Sequence, residues 1–302
     1  MKKANIQPFI AVAGILAVAA LISVSGSQDG ESFGGIRVFA LCAIIAFAIQ
    51  WLAFIPAYLA QTERFFDLTG SITYITVAVI GVVAVGNWEP RSLVVAGLVV
   101  TWAVRLGWFL FQRVRRSGGD RRFESIKQHF PGFFLTWTLQ GLWVLLTSAA
   151  GLAAITTAKP ATLEWIAFAG IAVWAFGFVI EAVADAQKRA FRSDPANRDR
   201  FIQSGLWAWS RHPNYFGEIV IWVGIAVLAA PALSGWQWVT MASPVFVFVL
   251  LTRVSGIPIL ERQAAARWGA DQDYREYRSK TSVLLLRPPR RSAESPPAKG
   301  GP

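Results

Sequence analysis

The sequence predicts an all-α, polytopic membrane helix bundle of about eight spans with both termini in the cytoplasm. Three observations predict it. The 302 residues are 54% hydrophobic and only 16% charged, against about 25% charged in soluble domains, and the mean hydropathy is +0.45. Eight apolar stretches are each long enough to cross roughly 30 Å of hydrocarbon at about 1.5 Å per residue. The formal net charge of +11 is also unevenly spread: of the 29 Lys and Arg, the loops of one side hold only Arg37, Arg91 and Lys159. The positive-inside rule then places the other loops in the cytoplasm.

The elements follow in order. A first span over 7–25 comes after Lys2 and Lys3 and lacks a small-residue cleavage site, so it reads as a helix and not as a signal peptide. The second covers 35–59 and the third 70–88, with Asp67 at its opening. The fourth, 92–112, carries Arg105 at its middle, and the fifth, 132–154, carries Gln140. The sixth, 161–184, closes on Glu181 and Asp185. The seventh, 216–234, has Glu218 near its start, and the eighth covers 237–254. Outer connections at 89–91, 155–160 and 235–236 are turns, whereas the inner loops are long, basic and aromatic. A water-soluble partner therefore arrives from the cytoplasm. Residues 1–34 form an extra span and outer loop, 35–286 the main membrane domain, and 287–302 a Pro-rich basic tail with the composition of a disordered segment. Trp51, Trp88, Trp207, Trp209 and Trp236 fall near helix ends, where indoles line the membrane interface.

Composition also excludes. The single cysteine, Cys42, permits neither a disulfide framework nor a cysteine metal site. With only His129 and His212, no metal ligands are assigned. Nucleic-acid binding would need a polar domain, and none is visible.

Ionisable groups inside spans mark functional sites, and Arg105 and Glu218 are the hardest to explain by capping. The loop 185–215 is the densest region. Asp185, Arg189 and Arg192, spaced 4 and 3 apart, share one helical face continuing the sixth span. A guanidinium pair there suits phosphate oxygens through planar bidentate donation, with anionic lipid headgroups as the alternative. In Arg211-His-Pro-Asn-Tyr-Phe-Gly-Glu218, Pro213 suits a first helical turn. Asn214 and Glu218 lie on one face, and an amide with a carboxylate reads a carboxamide such as that of nicotinamide. His212 titrates near neutrality and is a candidate acid–base group, against the plainer reading of a structural histidine.

The run Asn214-Tyr-Phe-Gly-Glu218, with Asp185, Arg189, Arg192, Arg200 and Gly205-Leu-Trp207 upstream, resembles the steroid 5α-reductase family, closest to its bacterial branch of membrane proteins of unknown function. Phe66-Asp67-Leu68, Trp102 to Leu106 and Gly119-Asp-Arg-Arg-Phe123 are similar to further motifs of that branch, so the resemblance covers roughly 35–286. It implies NADPH-dependent reduction of the C=C bond of a lipophilic enone, such as a 3-oxo-4-ene steroid. The cofactor would lie in a cytosol-facing cavity of a bacterial inner-membrane protein, and the substrate would enter from the bilayer. No Gly-x-Gly-x-x-Gly follows a strand and no strands are expected, so a Rossmann site is excluded.

Carried over by position, Asn214 and Glu218 hold the nicotinamide end. Asp185, Arg189, Arg192 and Arg200 hold ribose and phosphates, and Arg105, Arg116 and Asp120 complete the pocket. Trp207, Arg211, His212, Tyr215 and Tyr274 are further cofactor-site candidates. The animal enzymes polarise the ketone with a Glu–Tyr pair, and here Asp67 and Trp102 occupy those positions. An indole N–H donates a hydrogen bond but delivers no proton. Enolate stabilisation then falls to Asp67, kept protonated by burial, or to water, with Tyr58 and Tyr74 as other candidates. The family's histidine after the last span is missing. No obligatory protein partner is evident.

Two other classes compete. Membrane methyltransferases of the isoprenylcysteine or phospholipid type share a run like Arg211 to Gly217 and a C-terminal acid, here Glu261, followed by Gly and Tyr residues like Trp268-Gly, Tyr274 and Tyr277. They bind S-adenosylmethionine. Glu261 stands alone instead of in a Glu–Glu pair, and the arginines from 189 to 200 suit a cofactor with phosphates better. A non-enzymatic lipid-binding protein would use the same basic loops as headgroup contacts.

Overall fold

The computed structural model describes residues 6–86, 88–117, 123–159 and 161–289, apart from the side chains of residues 116 and 117. Its elements are α1 (Gln7–Gly26), β1 (Ser32–Phe33), β2 (Ile36–Arg37), α2 (Val38–Leu59), α3 (Phe66–Val85), α4 (Pro90–Ser117), α5 (Phe130–Thr156), α6 (Trp165–Ser193), α7 (Leu206–Trp209), α8 (Pro213–Ala229), α9 (Ala242–Val249), α10 (Ile257–Trp268) and α11 (Gln272–Lys280). Eight segments among the described residues are helical and apolar enough to cross a membrane, as the sequence predicts. The chain divides into two compact units. Unit one is Met1–Ala172 with Trp222–Val247, and unit two is Val173–Ile221 with Phe248–Pro302.

Unit one is built around α5, in which every residue from Thr147 to Thr156 is buried. Where all faces are apolar, hydrophobicity alone does not choose which face meets a neighbour, and small residues and side-chain hydrogen bonds do so instead. Ala150 and Ala154 of α5 pack with Ala226 and Ala229 of α8. Gln50 Nε2 donates to Thr73 Oγ1 at 2.8 Å, tying α2 to α3, and Trp51 Nε1 donates to Thr138 Oγ1 at 3.1 Å, tying α2 to α5. Arg91 is no outer-loop charge. It is 2% exposed and donates to the carbonyls of Ala161, Leu228 and Thr162. One carbonyl near the end of α8 and two in the loop before α6 thus satisfy one buried guanidinium.

Four features depart from the sequence reading. The 26–37 connection contains a two-residue antiparallel hairpin with Phe33 facing Ile36 and Ser32 facing Arg37. Gly34 and Gly35 carry φ of +58° and +81°, the left-handed pair that a tight hairpin needs. The third helix starts at Phe66, four residues before the predicted 70, so Asp67 lies inside its first turn. The sixth helix extends to Ser193, because the apolar pattern ends at the hydrocarbon edge while helical hydrogen bonding continues beyond it. The eighth apolar stretch is not one regular helix. It enters as a 3-10 turn over Gly235–Met241, capped reciprocally by Ser234 and Gln237, and leaves through a π turn at Leu250–Val254, where Ser255 N donates to Leu250 O at 2.9 Å.

Candidate active site

Within unit two, α6 and α8 cross at two glycines. A Cβ on Gly177 would stand 2.7 Å from Gly217 O and Ile221 N, and one on Gly217 would stand 2.7 Å from Gly177 O and Glu181 N. Only glycine admits backbones this close. The crossing fixes the register of two polar faces. The α6 face carries Glu181 and Asp185, 2% and 5% exposed, one turn apart. The α8 face carries Asn214 and Glu218, both half-buried and also one turn apart. Asp185, Arg189 and Arg192, expected to share a face, all lie within α6, and Asn214 and Glu218 both lie within α8. The side-chain amide of Asn214 makes no hydrogen bond among the described residues. Beyond Asp185, Arg189 and Arg192 lie exposed on the continuing helix, and Arg200 is exposed in the loop that follows. Arg189 and Arg200 form no ion pair among the described residues.

The second part of the site is a cluster on one carboxylate. Glu261 of α10 accepts from Arg211 Nη1 at 2.7 Å and from His212 Nε2 at 2.9 Å, and Arg278 Nε of α11 lies at 3.4 Å. A carboxylate only accepts, so the imidazole carries its proton on Nε2 and leaves Nδ1 as a bare lone pair. That atom is buried with no hydrogen-bond partner among the described residues. Burial holds the His212 pKa below its usual value, against the opposing pull of Glu261. The imidazole stacks on Tyr215, centroids 5.7 Å apart and planes 11° apart.

The Arg211–His212 corner is held from several sides. Ser210 Oγ accepts from His212 N at 3.1 Å and donates to Leu284 O at 2.8 Å. The 282–287 segment runs beside it, with Arg211 N donating to Ser282 O and Arg287 N to Trp209 O. Trp207 is not an interfacial indole. It is 3% exposed, its Nε1 donates to Ala184 O at 3.0 Å, and Lys188 Nζ lies 4.5 Å from its ring centroid. Its part is to pin α7 against α6. Tyr277 Oη donates to Trp207 O at 2.7 Å. Tyr274 is 3% exposed in an aromatic group with Phe201, Trp268 and Tyr277, and burial raises the pKa of both tyrosines.

The remaining predicted residues belong to unit one, each in its own surroundings. Asp67 Oδ2 pairs with Arg113 Nη2 at 3.1 Å. That arrangement fits an ionised acceptor and not the neutral hydrogen-bond donor expected from burial. Trp102, 2% exposed, packs edge-on against Tyr74 and Trp222. Tyr58 stacks on Phe54 and meets Phe130 edge-on. Arg105 is half-buried on α4. Asp120 and the side chain of Arg116 lie outside the described residues.

Sequence reasoning missed Glu261 as a hub and Arg278 altogether. A lone acid between Leu260 and Arg262 gives no local signal, because its partners are 50, 49 and 17 residues away in the chain.

Fold and site together define a multi-pass membrane protein with one cation-rich polar unit. The chain belongs to the DUF1295 family of proteins of unknown function, a steroid 5α-reductase-like family whose pattern matches residues 51–281. It is 25% identical over 198 residues to an uncharacterized protein of Schizosaccharomyces pombe, covering 55% of this chain and 57% of that protein. It is 36% identical over 85 residues to 3-oxo-5-alpha-steroid 4-dehydrogenase 1 of Bos taurus, covering 28% of this chain and 31% of that enzyme. The chain thus spans little more than half of the first relative's length and under a third of the second's. No solved structure matches it.

Proposed function

We propose that this protein is an NADPH-dependent membrane oxidoreductase that reduces the C=C bond of a lipophilic enone. The observation that carries the reading is the α6–α8 crossing. It packs α6, which carries Asp185, against α8, which carries Asn214 and Glu218, and among the described residues the Asn214 amide makes no hydrogen bond and Arg189 and Arg200 form no ion pair. Donors and cations without internal partners are what a polar, phosphorylated cofactor would meet. The likeness to the Bos taurus enzyme supports the same chemistry.

A reduced nicotinamide, when bound, supplies the hydride. The residues that would hold it do the rest. Asn214 both donates to and accepts from a carboxamide, and Glu218 accepts from its N–H. Asp185 accepts from ribose hydroxyls, and Arg189, Arg192 and Arg200 offer forked donors to phosphates. In unit one, Tyr58 carries a hydroxyl with no hydrogen bond among the described residues. It is the one residue of Asp67, Trp102 and Tyr58 that offers a proton from oxygen while Asp67 stays paired to Arg113.

The test is binding and turnover in detergent. NADPH should quench the tryptophan fluorescence of the pure protein, and an enone lipid should cause absorbance loss at the nicotinamide band. Glu218→Ala should abolish that loss. Normal turnover in this variant overturns the assignment of the nicotinamide end. The methyltransferase reading has one observation in its favour, that Arg211, His212 and Glu261 of its motif form a single cluster. Saturable binding of S-adenosylmethionine with none of NADPH would establish that reading in place of the reductase.

A further inference from the structure

At the end of unit one where α1 stops and α2 begins, a groove of about 650 Å³ opens between α1, the start of α2 and the 3-10 turn that opens at Gly235. That volume falls in the range of roughly 300–1,000 Å³ typical of small-molecule sites. Val24, Ala40 and Trp236 form its apolar wall, and Ser27, Gln28 and Arg37 its polar rim. Apart from Trp236, this lining precedes the family-matched residues 51–281, so the groove is not supplied by the family core.

The groove is built firmly. Gly26 sits so close to the Phe39 ring that a Cβ there would stand 2.5 Å from it, which locks α1 onto α2. Gln28 Oε1 accepts from Trp236 N at 2.5 Å and joins the two walls. Arg37 donates through Nη1 to Gly30 O and is exposed. Among the described residues it is the only ionisable one lining the groove. Asp29, in the same connection as Arg37, is already held by Lys159 Nζ at 2.7 Å and Ser234 Oγ at 2.8 Å. Those two contacts are the main reason its pKa lies below the usual carboxylate value, with the charge of Arg37 a smaller contribution. Ser27 Oγ is buried with no hydrogen-bond partner among the described residues, in a residue 9% exposed that lines the groove.

Depth completes the case. Trp88, Trp165 and Trp236 are 59%, 77% and 70% exposed, before α4, at the start of α6 and in the 3-10 turn respectively, and exposed indoles mark the headgroup level of a bilayer. A ligand at that depth with an apolar part, an anionic part and hydrogen-bonding oxygens is a phospholipid. We propose that this groove holds one membrane phospholipid. Its phosphate pairs with Arg37, its ester oxygens meet Ser27 and Gln28, and the upper part of one acyl chain lies on Val24, Ala40 and Trp236.

The experiment is native mass spectrometry of the full chain in detergent, with phosphatidylglycerol added or, as a phosphate-free control, the diacylglycerol of the same chains. The wild-type protein should retain one phosphatidylglycerol and about tenfold less diacylglycerol, the difference made by a charge-assisted contact. Arg37→Gln should lose about tenfold in phosphatidylglycerol retention, whereas Arg253→Gln, which removes an exposed cation elsewhere, should retain it fully. Ala40→Trp fills the groove without touching Arg37 and should also lose the lipid, with folding checked by size-exclusion profile. Equal retention by Arg37→Gln and wild type, undiminished retention by a folded Ala40→Trp, or diacylglycerol held as well as phosphatidylglycerol, would each overturn the proposal. None of these readouts depends on the reductase reading.

Discussion

The two units use their polar residues differently. In unit one, several polar groups tie segments together. Arg91 joins three carbonyls, Lys127 pairs with Glu63 at 2.8 Å, and Asp67 pairs with Arg113. In unit two, one hub, Glu261, takes three cationic or donor side chains, while Asn214, Arg189 and Arg200 have no side-chain partner among the described residues. The contrast teaches that in an apolar chain a polar residue is not a functional marker by itself. A candidate site is better sought where the fold positions a polar group and leaves it without an internal partner among the described residues.

Perturbations should separate the two uses, beginning with the largest. Gly177→Leu forces a side chain into the α6–α8 backbone contact and should cost about 3 kcal/mol or more. The variant is expected to aggregate on extraction, read by size-exclusion profile, while Gly97→Leu, where a Cβ meets nothing within 4 Å, should extract normally. Glu261→Ala leaves Arg211 and His212 unpaired in a largely buried place and should destabilise by about 3 kcal/mol, measured as a lower melting temperature in detergent. Glu261→Gln should recover part of that loss.

Asn214→Ala should do the opposite. Its stability should stay within about 0.5 kcal/mol of wild type, while NADPH affinity falls about tenfold by fluorescence titration. A large fall in melting temperature would place Asn214 with the structural polar groups instead. Arg189→Ala should weaken NADPH a few-fold, with the difference shrinking as salt rises.

The smallest effect concerns His212. Its native pKa is depressed by burial, so the unfolded chain takes up a proton first, near pH 6.5. The stability that comes from the neutral imidazole is present above that pH and is lost as pH falls from there toward the native pKa. Melting temperature should therefore drop between pH 7 and pH 5, and part of the drop should be absent in His212→Gln.

Much of the bundle could be read from the chain because hydropathy is local. All eight spans are in place, and the Asp185–Arg192 and Asn214–Glu218 faces follow from 3.6-residue spacing alone. The hairpin carried a readable signal in Gly34-Gly35, hidden by the expectation that a membrane bundle has no strands. The recurrence of Gly170, Gly177, Gly217 and Gly224 at intervals of seven within each helix was equally readable as a small-residue seam. Glu261 was not readable as a hub, nor Arg91 as a buried tie. Their partners are backbone carbonyls or side chains far along the chain, and only the finished packing brings those together.

The distance in sequence between Arg211–His212 and their partners has a consequence for biosynthesis. Glu261, Arg278 and Ser282 leave the ribosome 50 to about 70 residues after Arg211. At 5–20 residues per second that is a delay of roughly 3–14 s. For that interval two adjacent basic side chains exist without the carboxylate that will hold them, beside α8 as it is being inserted. The corner is thus among the last parts of the chain to acquire its final form, and a ribosome stalled between Trp268 and Ser282 would leave a nascent protein with its spans made and this corner still open.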